Sequence, residues 1–255
     1  MKICVLASGS KGNCTYIEEN GVKILFDIGK NTKYIKEKLL EIGVDAKDID
    51  YIVISHLHDD HISALPTFIR RYKTTVCLSQ KMFYELDSIK EYPNILIYED
   101  EMNFNGIHID AIRSSHDSPD SRNFIITYED KSVVYLTDTG YINRKYFRKL
   151  QNRNIYLFES NHDIEMLNNG PYPKWLKQRV LGDYGHLSNN ASSVYLAKLI
   201  GDHTKKIILM HLSDTNNTEK LALKTIKDTF KEYEINFKDI KCAKQDEVSE
   251  VMVLW

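Results

Sequence analysis

Apolar residues along the chain follow two patterns, one typical of strands and one typical of helices. The run over residues 51–54 is short, apolar and largely β-branched, which predicts a buried strand. In residues 32–42 the apolar positions instead recur at helical spacing. The first pattern predicts strands over residues 2–7, 15–19, 22–27, 51–54, 75–78, 107–112, 123–128, 132–136, 155–158, 206–210 and 250–254. The second predicts helices over residues 32–42, 62–73, 80–89, 143–151, 189–200 and 219–233.

The order of these elements predicts the fold class. A strand meander, a helix and a further strand occur twice along the chain, and Asn20-Gly21 is a strong hairpin signal within the first meander. Two such halves would pack sheet on sheet with helices outside, a four-layer αββα arrangement of the α/β class. The prediction comes from the order of elements, since the halves share little residue identity. We expect residues 1–255 to form a single domain.

Composition and charge leave the class of partner open. The chain has 255 residues, 42% of them hydrophobic, and a formal net charge of −2, so overall charge gives no case for nucleic-acid binding. The four cysteines lack CxxC spacing, which is typical of reduced thiols in a cytoplasmic protein. No apolar segment approaches the ~20 residues of a membrane span, so we expect no membrane association.

The loop after the predicted strand at residues 51–54 contains a cluster of candidate metal ligands. In the sequence SHLHDDHI, residues 55–62, four side chains of the types that bind metals stand within six positions. They are His56, His58, Asp60 and His61. A polar loop with incidental histidines is the alternative, but three of the nine histidines of the chain fall here. The pattern therefore indicates a metal site that can divide its ligands between two ions.

Three later predicted strands also end close to ligand-type residues. His116, Asp138 and His211 each follow such a strand, and Asp27 ends the first meander. A lone histidine at a strand end is more often structural, but several in this order are unlikely to coincide by chance. Two ions ~3.5–4 Å apart can activate a shared water and clamp both the attacking and the leaving oxygen of a displacement.

The HLHDDH segment and the later motifs resemble the signature of the metallo-β-lactamase-fold hydrolases. The resemblance implies that fold over essentially the whole chain and two divalent ions, zinc or manganese. It implies that His56, His58 and His116 hold one ion. Asp60, which is also catalytic, would hold the other together with His61 and His211, and Asp138 would bridge the two. For Asp27, support of the metal loop and simple capping of a turn both remain open.

Within this family the details favour phosphodiester chemistry. The β-lactamases carry a cysteine where this chain has Asp138, whereas glyoxalase II, lactonases, phosphodiesterases and nucleases carry an aspartate. Flavodiiron oxidoreductases generally have a glutamate at the position of His58. In the tRNA 3′-processing endonucleases, a Glu motif and a Gly-His motif match Glu159 and His186. That match implies a histidine that protonates the leaving oxygen and a glutamate that orients it.

Other roles for these histidines stay open. His186 precedes a predicted helix and could be a structural neighbour of its first turn, while His162 is a second candidate for the proton donor.

Seven ordered segments give a narrower resemblance, to the YycJ/WalJ group of bacterial metallo-β-lactamase-fold proteins. They are ASGSKGNCTYIE, LFDIG, SHLHDDHI, LTDTG, ESNHD, GHLSN and HLSDTNN. The resemblance implies a 5′-to-3′ DNA exonuclease, with DNA as the partner. The alternatives are a hydrolase of a cyclic phosphodiester, thioester or lactone, and a non-catalytic module that retains the fold. A complete set of ligands argues against the module.

Basic clusters give modest independent support for a polyanionic substrate. The clusters are Arg70, Arg71 and Lys73; Arg144, Lys145, Arg148, Lys149 and Arg153; and Lys174, Lys177 and Arg179. Phosphate contact is one use of such clusters, and a solvated helix face is the commoner one. Aromatic residues in the segment 170–175 could stack on unpaired bases or belong to a packed connector.

Overall fold

Two seven-stranded mixed sheets lie at the centre of the computed structural model, which describes residues 1–255. The strands are β1 (Lys2–Ala7), β2 (Cys14–Glu19), β3 (Val22–Phe26), β4 (Tyr51–Val53), β5 (Thr75–Ser79), β6 (Ile95–Tyr98), β7 (Glu101–Phe104), β8 (Ile107–Arg113), β9 (Arg122–Tyr128), β10 (Lys131–Leu136), β11 (Ile155–Glu159), β12 (Lys206–Met210), β13 (Ile240–Cys242) and β14 (Met252–Val253). The helices are α1 (Thr32–Glu41), α2 (Asp59–Ile62), α3 (Leu65–Tyr72), α4 (Gln80–Glu85), α5 (Phe147–Leu150), α6 (Ile164–Asn169), α7 (Lys174–Leu181), α8 (Asn189–Leu199) and α9 (Glu219–Glu232).

The two sheets have the same pattern of strand directions. In the first sheet, with the order β14-β1-β2-β3-β4-β5-β6, strands β1 to β3 are antiparallel and β3 to β6 are parallel. In the second, with the order β13-β12-β11-β10-β9-β8-β7, strands β7 to β10 are antiparallel and β10 to β13 are parallel. The predicted repetition of meander, helix and strand is therefore confirmed.

Three buried apolar clusters separate four layers. The largest cluster lies between the sheets and brings Ile17 of β2 together with Phe124 of β9. A second packs α1 and α3 on the outer face of the first sheet, and a third packs α8 and α9 on the outer face of the second. The αββα prediction is confirmed. No helix in the structure combines the length and the apolar character needed to cross a lipid bilayer.

Helix starts follow from local capping chemistry. Asn31 caps α1 by accepting a hydrogen bond from the amide of Tyr34, and Ser188 caps α8 in the same way with Ala191. Each cap satisfies an amide that has no partner within the helix. The Ser188 cap lies two residues after His186 and fixes the start of α8 next to that residue.

Three predicted helices are wrong in extent. The helix expected over residues 62–73 begins only at Leu65, because Ile62 ends α2 and Pro66 has no amide hydrogen with which to extend that helix. The helix expected over residues 80–89 ends at Glu85, and a short 3₁₀ turn follows. The basic helix expected over residues 143–151 is a 3₁₀ turn followed by the single turn of α5.

The hydrophobic pattern did not predict several other elements. Strands β6, β7 and β13 have three or four residues each, too few to establish an alternation. Helices α6 and α7 have few buried residues, so their apolar periodicity is weak. Helix α7 and the connector before it, which contains Tyr172, form one wall of the cavity described below.

Backbone contacts fix the loop that carries HLHDDH against the first sheet. The amide of Ile28 donates to the carbonyl of His61 at 2.7 Å, and the amide of Asn13 donates to the carbonyl of Asp60 at 2.7 Å. Gly29 lies so close to Asp60 that an added Cβ would be 1.6 Å from its carbonyl oxygen. Only glycine fits there, because no rotamer change can relieve a backbone clash.

We expect Gly29→Ala to lower the free energy of unfolding by about 3 kcal/mol or more, since the strand end and the loop must separate. Urea denaturation followed by circular dichroism measures this. Gly182→Ala is the control for a mild contact, because its added Cβ would be 3.2 Å from the nearest atom, which a shift of a few tenths of an ångström relieves, and its φ is −76°. Equal midpoints for the two variants would contradict the assigned contact.

Candidate metal centre

The carboxyl ends of β4, β8, β10 and β12 meet at one edge of the two sheets. The segments after these strands surround a cavity of about 340 Å³, and its walls are mostly polar. His58, Asp60, Asp138 and His211, all expected from the sequence to bind metal, line it directly. The topology thus brings residues from distant parts of the chain to one place.

The seven expected ligands form two groups with a shared carboxylate. One nitrogen from each of His56, His58 and His116 lies within 4.8 Å of the others. The same separation holds for ligand atoms of a second group, which consists of Asp60, His61 and His211. Asp138 lies within this distance of His56 and His61, and also of His211. The grouping is the one expected from the family resemblance.

Partners inside the protein orient the histidine rings. The Nδ1 atom of His61 is 2.8 Å from the Asp27 carboxylate, and that of His211 is 3.1 Å from the Glu159 carboxylate. His116 donates from Nδ1 to the carbonyl of Gly185 at 3.1 Å. A proton held on Nδ1 leaves the Nε2 lone pair free to bind a metal.

Two observations show that the donor set suits divalent cations. The Nε2 atom of His56 is buried without a hydrogen-bond partner, which is rare for a polar atom in a protein interior. The Nε2 atom of His116 and the Nδ1 atom of His58 are 3.1 Å apart. Since Nδ1 of His116 carries the proton, its Nε2 is a lone pair directed at His58. Imidazole and carboxylate ligands in this arrangement fit a pair of divalent ions.

The electrostatics of the site also favour cations. Burial opposes protonation of His211, but Asp138 and the other carboxylates raise its pKa to about 10. His61 is likewise buried, and the charges of Asp27 and Asp138 hold its pKa well above its ordinary value. The carboxylates that hold protons on His61 and His211 would also attract metal ions, and metal binding displaces such protons. Burial instead lowers the pKa of His56 and of His116, so this electrostatic attraction is centred on the group around His61 and His211.

Asp27 supports the metal loop, which decides between the two roles left open by the sequence. Its fully buried carboxylate accepts hydrogen bonds from the Ser55 amide and hydroxyl, both at 2.8 Å. It also accepts from the Tyr135 hydroxyl at 2.7 Å and faces Nδ1 of His61. Ser55 and Tyr135 are partners that the sequence did not reveal.

Three residues of the site adopt left-handed backbone conformations. Asp27, Asp138 and His211 have φ values of 60°, 51° and 55°. This region is uncommon for residues other than glycine and costs free energy that the surrounding contacts must offset. Each of these residues follows within two positions of a strand end, so the turn directs its side chain into the site.

A wholly buried glutamate links two histidines. Oε1 of Glu159 lies 2.8 Å from Nδ1 of His186 and 3.1 Å from Nδ1 of His211. Its Oε2 accepts hydrogen bonds from the amides of Thr139 and Leu187. Burial opposes ionisation, but His186 and His211 hold its pKa at about 2. Glu159 therefore orients His186, which lines the cavity, without reaching the cavity itself.

His162 does not reach the cavity. Its ring is buried without a hydrogen-bond partner, and burial lowers its pKa to about 4. Its backbone carbonyl accepts a hydrogen bond from the amide of Asn189, and the neighbouring Asn161 amide donates to Leu187. These bonds join the Glu159 segment to the segment that follows His186.

The structure adds neighbours that the sequence did not single out. Asn13 lies 2.9 Å from Nε2 of His61 and 3.2 Å from the Asp60 carboxylate. At the mouth of the cavity, Arg179 donates to Asp117 at 2.5 and 3.1 Å. Adjacency in sequence to His116 could have drawn attention to Asp117, and Asn13 stands in a glycine-rich turn. Arg179 is the one basic-cluster residue that lines the cavity.

The four layers and the His/Asp clusters together define a divalent-metal-binding protein of the hydrolase type. Residues 7–211 match the model of the Metallo-beta-lactamase superfamily. The chain belongs to this family, and within it to a YycJ/WalJ-like group.

Two curated relatives and one solved structure illustrate the similarity. The chain is 37% identical to "Exodeoxyribonuclease WalJ" of Streptococcus pneumoniae, over 88% of this chain and 86% of the relative. It is 31% identical to "Exodeoxyribonuclease YycJ" of Bacillus anthracis, over 89% and 88%. The fold also matches the metallo-β-lactamase fold protein YhfI of Bacillus subtilis with a TM-score of 0.71, at 16% identity and with 97% and 98% of the two chains covered.

We expect the reconstituted protein to hold two divalent ions per chain and Asp138→Ala to hold at most one, because its carboxylate lies between both ligand groups. Elemental analysis after removal of excess metal measures this, and circular dichroism verifies the fold. Asp130→Ala, in an exposed turn, should retain both ions. The expectation fails if the unaltered protein binds one ion or none.

Proposed function

We propose that this protein is a metal-dependent phosphodiesterase acting on nucleic acid, and specifically a 5′-to-3′ DNA exonuclease. The observation that carries the proposal is the His186–Glu159 pair beside a complete set of dinuclear ligands. The names of the relatives, which align over 86–88% of their length, support DNA as the substrate. We further propose a single catalytic domain over residues 1–255 and a cytoplasmic location, for which the four free thiols are support.

The proposed ions are zinc or manganese, since imidazole and carboxylate ligands suit both. His56, His58 and His116 would hold one ion, Asp60, His61 and His211 would hold the other, and Asp138 would contribute to both. When bound, the ions would neutralise the charge of the phosphodiester and activate a water molecule for attack. The family assignment and the donor set support this arrangement.

His186 is the proposed proton donor to the leaving oxygen. Its Nδ1 atom faces Glu159, so the opposite nitrogen is free to face a substrate in the cavity. The buried glutamate would fix the orientation of the His186 ring toward the leaving oxygen. An alkoxide leaving group needs such a proton, which is why the pair favours phosphodiester cleavage over metal binding alone.

Arg179 is the proposed phosphate contact in the cavity. Its guanidinium already pairs with Asp117, whose carboxylate lies 3.7 Å from His58 and 3.6 Å from His116. An incoming phosphodiester would meet this guanidinium at the mouth of the site. The mostly polar cavity walls suit a phosphodiester better than the acyl part of a thioester or lactone.

If His186 protonates the leaving oxygen, His186→Ala should lower the rate of DNA cleavage by roughly 10²–10⁴ with metal content unchanged. The loss on bis-p-nitrophenyl phosphate should be far smaller, because p-nitrophenolate leaves without protonation. Single-turnover rates on both substrates give the comparison. Glu159→Gln should show the same selectivity more weakly, with elemental analysis as its control because Glu159 also contacts His211. Equal losses on the two substrates would rule out the assignment.

Arg179→Gln should raise the KM for DNA about tenfold, because it removes a phosphate contact and leaves the Asp117 carboxylate unopposed. Asp117→Asn in the same chain should restore part of the affinity. Lys174→Gln, at an exposed residue of α7 that does not line the cavity, makes the same charge change and should alter KM little. A KM that rises equally in both single variants, or in neither, would contradict a role for Arg179.

A further inference from the structure

A groove lies between α8 and the segment 141–147, beside the candidate metal centre. It encloses a cavity of about 760 Å³, larger than the cavity at the metal ligands. Its aromatic, amide and basic side chains are those of Tyr141, Arg144, Phe147, Asn190, Tyr195 and Lys198. None of these residues belongs to the proposed catalytic machinery.

The groove is close to the site because both are formed by the same short segments. Tyr141 is three residues after Asp138, so their Cα atoms are at most about 11 Å apart. Asn190 is four residues after His186, a separation of at most about 15 Å. At about 3.4 Å per nucleotide along one strand of a duplex, the near end of the groove, at Tyr141 and Asn190, lies no more than about four nucleotides from the site.

The length of the groove fits a short stretch of polymer. It extends along α8 from Asn190 in the first turn to Lys198 in the last turn. Eight residues of helix span about 12 Å. A ligand that fills this length and also reaches the metal centre must be extended, as a nucleic-acid strand is.

The charge of the groove fits a polyanion. Its lining contains Arg144 and Lys198 and no carboxylate. Neither of these two side chains forms an ion pair within the chain, whereas Lys149 pairs with Asp110 and Arg179 pairs with Asp117. Two unpaired cations in a chain with a net charge of −2 are a local feature, not a reflection of composition.

Aromatic side chains of the groove provide a surface for the bases of a nucleic acid. Phe147 and Tyr195 pack edge to face with ring centroids 6.0 Å apart and are partly buried, which makes a fixed floor. The Tyr195 hydroxyl accepts a hydrogen bond from the Ile142 amide, which holds the segment 141–147 against α8. Tyr141 is 43% exposed at the end of the groove nearest the site, where a base could stack on its ring.

We propose that this groove binds the nucleotides next to the scissile phosphate, with phosphates on Arg144 and Lys198 and a base on Tyr141. The inference rests on the proposed function, because it identifies how the same substrate extends beyond the catalytic cavity. Base stacking is tolerant of sequence, which suits an enzyme that must process any DNA end.

The test compares groove variants of the metal-loaded protein with a charge-matched control. Arg144→Gln with Lys198→Gln should weaken binding of an end-labelled duplex about tenfold and reduce the slope of log K against log salt by about 1.8. Tyr141→Ala should weaken binding about tenfold without changing the slope. Lys227→Gln with Lys231→Gln, on α9, removes two other exposed charges and should change neither quantity. Fluorescence anisotropy with terminal phosphorothioate linkages measures binding without rapid hydrolysis.

Two further readouts separate this inference from the proposed function. Hydrolysis of bis-p-nitrophenyl phosphate should be unchanged in all groove variants, because that diester is too small to reach the groove. With oligonucleotides of two to eight nucleotides, KM should fall once about four are present, and the groove variants should lose this step. If the unaltered protein degrades DNA normally and the groove variants bind DNA as well as the control variant does, the groove proposal is overturned and the proposed function is not. An unaltered protein that cleaves the small diester but neither binds nor degrades DNA would overturn both.

Discussion

The buried carboxylate of Asp27 is the interaction on which the arrangement of the site depends. An ion removed from water is tolerated only when it is fully paired, and here donors from the second sheet and from the metal loop complete the pairing. Tyr135 belongs to the second sheet, while Ser55 and His61 belong to the loop after β4. One residue thus fixes the distance between the sheets and the orientation of a ligand ring.

Glu159, at the other side of the site, also positions several groups through one buried carboxylate. Its two oxygens together contact two histidines and two backbone amides, so the position of β11 determines the orientation of His186 and His211. The left-handed turns at Asp138 and His211 present strain that these contacts offset. The catalytic edge is consequently less free to relax than the outer helical layers, which pack through ordinary apolar contacts.

The sequence allowed the αββα layers and the grouping of His56, His58 and His116 to be anticipated, because strand patterns and ligand order are local properties. It did not allow β6 or β7 to be found, since four residues give no reliable periodicity. Contacts such as Asp117–Arg179 and Asn13–His61 join residues 62 and 48 positions apart, and only the packed structure brings them together. Helix α7, which forms part of the cavity wall, was missed because it buries few side chains.

The distribution of the ligands has a mechanical consequence. Each group of three takes two members from the loop after β4 and one from the second sheet, His116 in one case and His211 in the other. Neither half of the fold supplies a complete ligand group by itself, so bound ions would link the two sheets. Separation of the halves would then release metal, and resistance to unfolding would grow with the logarithm of the free ion concentration. In a cell, the supply of metal would therefore govern how long the folded chain survives as well as how fast it works.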